Sequence, residues 1–421
     1  MSIQSLKNRI NKRVELYKYK NDYTDIGSFI KRKRKELNVT QDEISNGICS
    51  ISYLSKIENN QIVPNDFYIN EIMEKLDVDK AVYSKSLKEK EYLNKVIKSY
   101  FFMDDNLMEA TYEEIKNIEH NLVINLCKLG YIVYFKLDDD NQYVMMLEHL
   151  VNNMSDFELK LYLFFAAIYF MENEKYKTAL ELILLNEKLP KSDDYLSALF
   201  SELSYYVKQR LMIKNCSNED YFNAVNIYSR YHNVDRIMNL ALNKTYNIMK
   251  ENPSKAHEIL KTIKSSLLKG EMYEYYQILH AELLYQLEKY NDSTLALKEI
   301  DESSKYYLRK MTLLLRICIK AQDLQMIDEI KEIVRQYKPS KREMKSKVYY
   351  HYLIQDNEKD MKEYLRDIAI PFSIQIEDYY TLQVYIDSVM EICISNSRYK
   401  EAMQYYKKFQ KEILKLQKIM Y

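Results

Sequence analysis

The near absence of glycine and proline constrains this sequence more than any other feature. Only 4 glycines and 5 prolines occur among its 421 residues, far below ordinary usage. Tight hairpin turns and glycine loops need these residues, so the chain can form few of either. Apolar residues make up 47% of the sequence, which is ample for a core, and the length exceeds one compact domain. The sequence therefore predicts an all-α protein, built as several domains or as a helical solenoid.

Residues 26–78 hold the most informative local pattern. Thr40 and Glu43 have the spacing of a capping box, which starts a helix. Ile44 and Ile48 lie one turn apart and predict the buried face of that short helix. A first helix is predicted before it, from a mainly apolar stripe formed by Ile26, Phe29, Ile30, Lys33 and Leu37.

A third helix follows a turn at residues 47–50, and its two faces differ. Ile51, Leu54 and Ile57 predict its buried stripe. Small polar residues and one cation on the other face suit a helix lying in a DNA major groove, where hydrogen bonds recognise base edges. That face carries Ser52, Tyr53 and Lys56, and Ser55 borders it.

This register of residues resembles the XRE (repressor-type) helix-turn-helix family. The resemblance implies that Gln41 caps the second helix against the DNA backbone and that Arg34 pairs with Glu58. A helical hairpin without a DNA role is the alternative. The matching residues are Arg34, Gln41, Ile44, Ser45, Leu54, Ser55, Lys56, Ile57, Glu58 and Pro64.

The sequence departs from the usual family pattern in its turn. The stretch from Gln41 to Glu58 is one residue shorter, and Cys49 stands where a turn glycine is usual. The shortened turn looks like the PlcR branch of the peptide-sensing regulators. The residues expected to contact DNA are Gln41, Ser50, Ser52, Tyr53, Ser55, Lys56 and Asn59.

Charge is unevenly distributed although the formal net charge is zero. Residues 31–35 read Lys-Arg-Lys-Arg-Lys. Because the local field decides phosphate contact, a neutral total does not argue against DNA binding. A solvated helix face is the alternative for this run. Further basic residues precede it, namely Lys7, Arg9, Lys12, Arg13, Lys18 and Lys20.

The sequence offers little support for a catalytic site, a metal site or a membrane segment. No glycine-rich phosphate loop is present, and the six histidines have no metal-ligand spacing. The cysteine count is odd, no Cys-x-x-Cys occurs, and no apolar leader opens the chain. The most apolar run, residues 161–171, is too short to span a bilayer. We expect a cytoplasmic protein that is not an enzyme and needs no cofactor, metal or membrane. The cysteines are Cys49, Cys127, Cys216, Cys318 and Cys393.

Downstream of about residue 105 the sequence repeats. Ala167 and Ala179 are 12 residues apart, as are Ala281 and Ser293, and a tyrosine stands three residues before the second member of each pair. Small residues let two antiparallel helices cross closely, as in tetratricopeptide repeats. A non-repeating bundle is the alternative. Later repeat markers are Ala224, Ala256, Ile327 and Ala402, and breaks are expected at residues 188–190, 251–253, 269–270, 338–340 and 370–371.

A repressor-like head followed by degenerate tetratricopeptide repeats resembles the RRNPP family of Gram-positive quorum sensors. The resemblance implies a right-handed α-solenoid, a homodimer held by the repeats, a double-stranded DNA operator and a short signalling peptide in the concave groove. The expected divisions are a basic extension at 1–24, the head at 25–80, a linker helix at 81–104 and the repeats at 105–421. The extension is expected as a helix on the DNA or dimer surface, or as a flexible arm.

Peptide contacts are expected from amide side chains, since each offers a donor and an acceptor to one peptide unit. Asn239, Asn243 and Asn247 stand at i, i+4 and i+8 of one helix, and the resemblance implies that such asparagines clamp a peptide backbone. Arg309 and Arg316 share a face and suit a peptide carboxylate. A solvated polar stripe and ordinary surface arginines are the alternatives.

Two other functions stay open at this point. The repeats of a repressor can bind another protein, as in a phage or toxin–antitoxin switch. A Rap-like phosphatase or anti-activator activity can also accompany DNA binding.

Overall fold

The computed structural model of the chain is helical and contains no strand within its described parts. Residues 1–2 and 17–24 of the predicted extension, including Lys18 and Lys20, lie outside those parts, as does Cys216. Two compact units are present, residues 1–204 and residues 205–421. The described residues are 3–16, 26–59, 61–62, 64–78, 80–137, 142–190, 194–213, 217–249, 251–340, 343–355 and 357–420.

The first unit begins with a separate helix and a four-helix head. Thr40 caps α3 as expected, because its side chain accepts from the Glu43 amide while Glu43 reaches back to the Thr40 amide. Ser50 and Asn65 cap α4 and α5 in the same way with one hydrogen bond each. The helices are α1 (Ile3–Leu16), α2 (Ile26–Glu36), α3 (Gln41–Ser45), α4 (Ile51–Glu58) and α5 (Asp66–Lys75).

A long helix and the first helix pairs complete this unit. Gly130 on α8 allows a close approach, since a Cβ there would lie 2.9 Å from Val96 Cγ1 and 3.0 Å from Phe165 Cζ. The helices are α6 (Lys80–Phe102), α7 (Asp105–Ile115), α8 (Leu122–Tyr134), α9 (Gln142–His149), α10 (Asp156–Glu172), α11 (Tyr176–Glu187) and α12 (Asp194–Arg210), whose last residues enter the second unit.

The second unit consists of successive helix pairs. The first helices of neighbouring pairs, α14, α16, α18 and α20, contact one another in order. The all-α fold, with a helix-turn-helix head followed by helical repeats, is confirmed. The helices are α13 (Ser217–Arg230), α14 (Val234–Met249), α15 (Pro253–Thr262), α16 (Gly270–Gln286), α17 (Tyr290–Ala296), α18 (Tyr307–Ala321), α19 (Leu324–Gln336), α20 (Met344–Leu353), α21 (Glu358–Tyr364), α22 (Ile370–Gln375), α23 (Tyr379–Ser395) and α24 (Tyr399–Met420).

Small residues sit where paired helices cross. Ala281 of α16 and Ser293 of α17 are fully buried, and Ser293 Oγ donates to the Ala281 carbonyl at 2.7 Å. Ala167 and Ala179 are buried in the same manner on α10 and α11. The 12-residue spacing in the sequence is therefore the spacing of one helix crossing.

Four of these hairpins turn without glycine. A residue one or two positions after the first helix adopts a left-handed conformation, at φ values of 59° for Glu174, 60° for Glu288, 57° for Gln322 and 57° for Ser397. The next amide then donates to a carbonyl five residues back, as Lys289 N does to Leu284 O at 2.9 Å. The left-handed conformation costs a non-glycine residue about 1–2 kcal/mol. Bonds to the otherwise unpaired carbonyls offset part of that cost.

Two expected core positions in the head are wrong. Leu37 is 51% exposed, because α2 ends at Glu36 and the chain turns at Asn38 with a φ of 55°. Ile51 is 47% exposed, because it occupies the first position of α4, outside the packed part of the stripe. Ile48 is half-buried but follows α3, which ends at Ser45.

The expected break at residues 370–371 is also wrong. α21 runs into a π-helical turn, Leu365–Ala369, and then directly into α22. Pro371 is the second residue of α22 and has no N–H to donate to the preceding turn. A widened turn before a proline absorbs the clash that would otherwise end a helix. Of the expected repeat markers, Ile327 is only half-buried, and Ile330 takes the buried position on α19.

We predict that Ala281→Leu destabilises the second unit. Added methylenes at a tight crossing cost about 1–3 kcal/mol, and here they also displace the Ser293 hydroxyl. Urea unfolding followed by circular dichroism measures the change. Ala321→Leu at the exposed end of α18 is the matched control, expected within about 0.5 kcal/mol of wild type. Equal midpoints for the two variants would contradict close packing at this crossing.

Candidate functional site

A small apolar cluster holds the four helices of the head in place. Its buried members come from all four helices and from the residue after α5. This packing leaves one face of α4 directed away from the cluster. The buried members are Ile30, Ile44, Leu54, Ile57, Ile72 and Leu76.

Glu58 is the carboxylate that joins α2, α3 and α4. Its side chain is fully buried. Arg34 donates from Nε to Oε1 at 2.5 Å and from Nη2 to Oε2 at 2.9 Å. Gln41 donates from Nε2 to Oε2 at 2.7 Å. The pair that the family resemblance implied is thus present. The Gln41 side chain, expected against the DNA backbone, is bonded within the head.

The remaining residues expected to contact DNA divide into two groups. Ser52 and Lys56 are exposed on α4. Ser50 is exposed too, but its hydroxyl accepts the Tyr53 amide at 3.1 Å and caps the helix. The Tyr53 ring is half-buried, 5.0 Å from the Tyr68 ring. Ser52 and Lys56 are therefore the members most available to DNA.

Ser55 and Asn59 lie at the far edge of the same helix and are half-buried. The Asn59 amide donates to the Ser55 carbonyl at 2.9 Å, and its oxygen accepts from Lys31 Nζ at 3.0 Å. Asn59 thus ties α4 to the basic run on α2.

Two cations of that basic run point to the first helix pairs and not to the α4 face. Arg32 Nη2 donates to both carboxylate oxygens of Glu158, at 2.5 and 2.6 Å, and the side chains are only 15% and 8% exposed. Lys35 Nζ donates to Asn153 Oδ1 at 2.7 Å, and burial with the nearby Arg34 charge lowers the pKa of Lys35. We call these two contacts the head latch.

Glu158 serves two purposes at once. It is the third residue of α10 and accepts the Ser155 amide in a capping box, at 2.7 Å. The same carboxylate holds Arg32 of the head. Sequence reasoning missed this contact because 126 residues separate its partners, and the capping box gives Glu158 a sufficient local role.

α1, the described part of the basic extension, packs on α11. Leu6 and Ile10 are fully buried. Arg9 donates to the Glu148 carbonyl at 3.1 Å, and Lys7 lies 3.5 Å from Glu181. α1 is therefore a packed helix of the first unit in its described residues.

In the second unit, the three asparagines of α14 face tyrosine hydroxyls. Asn239 Nδ2 donates to Tyr206 Oη at 3.1 Å, and Asn247 Nδ2 to Tyr205 Oη at 3.3 Å. Asn243 Nδ2 donates to the Asn239 carbonyl at 2.9 Å, and Tyr275 Oη lies 3.4 Å from Asn243 Oδ1. All three asparagines are half-buried. They form one polar row that neighbouring first helices approach.

The two candidate arginines of α18 differ in their surroundings. Arg309 donates from Nε and Nη2 to the two oxygens of Glu282, both at 2.7 Å. Although burial opposes its charged form, Glu282 raises the pKa of Arg309. Arg316 stacks on Tyr285, 4.3 Å from the ring centroid. The two arginines therefore differ: Arg309 is paired with a carboxylate, whereas Arg316 contacts an aromatic ring.

Sequence reasoning missed several members of this region. Two cations lie over the ring of Tyr246 on α14, the Arg210 guanidinium at 5.5 Å and that of Arg309 at 5.3 Å from the centroid. Half-buried Lys345 forms an ion pair with buried Asp378 in the same unit. Burial alone would raise the pKa of the Asp378 carboxyl, but Lys345 holds it below its ordinary value.

Only the high tyrosine content, 41 residues, signals such a region in the sequence, and it does not say which tyrosines take part. Burial raises the pKa of Tyr205 to about 12, so the hydroxyls remain neutral donors and acceptors at ordinary pH. Asparagine amides and neutral tyrosine hydroxyls can hydrogen-bond both groups of a peptide backbone.

Known proteins match this chain at two levels. The helix-turn-helix family HTH_3 matches residues 30–82. Along 409 residues the chain is 23% identical to the transcriptional activator NprA of Geobacillus stearothermophilus, covering 86% of this chain and 97% of that protein. The family match lies within the head and the start of α6, and the similarity to NprA extends over most of the chain.

Solved structures show the same fold. NprR in complex with its cognate peptide NprX superposes with a TM-score of 0.63 at 17% identity, covering 79% of this chain and 97% of that one. Apo NprR from B. thuringiensis gives 0.59 at 16% identity, with 79% and 100% covered. A Rap protein complexed with Competence and Sporulation Factor gives 0.59 at 12%, with 79% and 99% covered.

Two negative findings apply to the described residues. None of their helices combines the length and apolar character that crossing a bilayer requires. No cluster of three or more histidine, cysteine, aspartate or glutamate side chains among them has metal-binding geometry.

We predict that Glu158→Gln loosens the head. The substitution leaves the Arg32 charge half-buried without its carboxylate, and breaking a buried pair costs about 3–5 kcal/mol. Hydrogen exchange of residues 26–36, followed by mass spectrometry on the full chain, should speed up. Glu36→Gln, at the exposed pair with Lys33, is the matched control and should leave the exchange unchanged. Equal protection in both variants would show that the head latch adds no stability.

Proposed function

We propose that this protein is a DNA-binding transcription regulator of the quorum-sensing type, controlled by a short signalling peptide that its helical repeats bind. The observation that carries this proposal is the presence, in one chain, of a helix-turn-helix head and an asparagine–tyrosine row on neighbouring repeat helices. The description of NprA as an activator and the NprR–NprX complex support it.

On DNA, we assign base contact to Ser52 and phosphate contact to Lys56. Both are exposed on α4, and phosphate contacts position a recognition helix while contacts to base edges give specificity. Gln41, Ser50 and Asn59 hold α4 in place. Tyr53 and Ser55 border the contact face. Because such heads bind half-sites about one helical turn apart, we also propose a two-fold dimer working on an operator in the cytoplasm.

On the peptide, we assign the backbone clamp to Asn239, Asn243 and Asn247. Their tyrosine partners hold the amides in fixed orientations, which lowers the entropy lost when a peptide binds. We propose that the helix spanning residues 83–100, within α6, transmits the repeats' response to the head. The head latch is a second connection between the head and the repeats, within the first unit.

The double variant Ser52→Ala with Lys56→Ala tests the DNA assignment. Duplexes selected by the wild-type protein from a random pool should bind this variant at least tenfold more weakly, since one specific contact contributes about 1–3 kcal/mol. The loss at Lys56 should also reduce the salt dependence of binding by about one phosphate contact.

Lys116→Ala on an exposed helix end is the control for charge removal. Unchanged duplex affinity in the double variant, with a native circular dichroism spectrum, would reject the assignment of α4 to DNA.

Asn243→Ala tests the clamp. Peptides that the wild type retains from a randomised synthetic heptapeptide pool should bind this variant with about 1–3 kcal/mol less free energy, because a peptide amide loses its partner. That difference corresponds to about 5- to 150-fold weaker binding. Calorimetry with the retained peptides measures it.

Asn291→Ala, on the exposed face of α17, is the matched control and should bind these peptides like wild type. If both alanine variants bind them equally well, the asparagine row is not the clamp.

A further inference from the structure

Arg316 is a half-buried cation that lacks a counter-ion within the described part of the chain. No hydrogen bond or ion pair joins it to a described residue; its contact is with the face of Tyr285. A cation removed from water needs a partner to offset the lost hydration. An aromatic face offsets only part of that loss.

Arg309, on the same helix, is an arginine whose charge and hydrogen-bond donors have a carboxylate partner. It lies seven residues earlier, which is about two turns, so both side chains share one face of α18. Glu282 satisfies Arg309 with two hydrogen bonds. Glu282 of the neighbouring first helix is therefore already paired with Arg309, and Arg316 retains its capacity for two parallel hydrogen bonds to an anion.

The surroundings of Arg316 suit a ligand carboxylate. The Arg316 charge acts on two half-buried tyrosines, Tyr349 on α20 and Tyr380 on α23. Burial raises the pKa of both, that of Tyr380 to about 12, so neither hydroxyl carries a negative charge that would neutralise Arg316 at ordinary pH. Arg316 therefore lies within electrostatic range of tyrosines on two other first helices, and its own donors are directed to no acceptor among the described residues.

We propose that Arg316 binds a carboxylate of the signalling peptide, so that the ligand class is a peptide with an acidic side chain or a free carboxyl terminus. This inference rests on the proposed function. Arg309 is then a structural residue that holds α18 on α16, contrary to the equal role that the sequence suggested for the two arginines.

The experiment compares wild type with Arg316→Gln on two randomised synthetic heptapeptide pools, one with free and one with amidated carboxyl termini. Wild type should retain peptides that contain a carboxylate. Retention only from the free-acid pool assigns the carboxyl terminus, and enrichment of Asp or Glu in both pools assigns a side chain. Arg316→Gln should bind the retained peptides at least tenfold more weakly, and Arg316→Lys should keep part of the affinity.

Arg335→Gln is the matched control, because it removes the same charge from an exposed site on α19. It should bind the retained peptides like wild type. Retained peptides without acidic preference, or equal binding by Arg316→Gln, would overturn the proposal while leaving the proposed function intact. Retention of no peptide from either pool by wild type would reject the proposed function and this inference together.

Discussion

The close crossing of paired helices at small residues is the constraint on which the repeats depend. Ala281 and Ser293 bring two backbones together, and neighbouring pairs then stack so that first helices contact first helices. A stack of this kind buries apolar surface between second and first helices but leaves polar positions of the first helices facing one another. The asparagine row of α14 and the arginines of α18 occupy such positions. Packing in the repeats therefore creates the proposed ligand surface.

The head depends on a different interaction, the burial of one carboxylate. Burying the Glu58 carboxylate costs desolvation free energy. Three hydrogen-bond donors, two on Arg34 and one on Gln41, offset that cost. In return it fixes α2 and α3 on the recognition helix, so that few residues of α4 are needed for structure and some are left for DNA. Glu158 repeats this arrangement at the contact between the head and the first helix pairs.

Local patterns in the sequence predicted local structure well. The capping box at Thr40 and Glu43, the 12-residue spacing of small residues and the asparagine row on α14 all follow from helix geometry within one or two elements. Local periodicity failed where an element ended early, as at Leu37 and Ile51, and where a π-helical turn carried the chain past Pro371. The Arg32–Glu158 pair and the tyrosine partners of the asparagines were beyond reach, because such contacts depend on how distant helices stack.

The basic run at residues 31–35 is less open than the sequence suggests, because its cations have partners in the structure. Of the five consecutive cations at residues 31–35, Lys33 and Arg34 bond to carboxylates within the head, Lys31 bonds to Asn59, and Arg32 and Lys35 bond to the first helix pairs. Their field is thus partly cancelled by nearby acceptors, although the sequence alone suggests an open basic patch. An anion that bound Arg32 would have to displace the Glu158 carboxylate, which already accepts two hydrogen bonds from its Nη2. The placement of α2 on the first helix pairs and the availability of Arg32 to an anion therefore depend on the same ion pair.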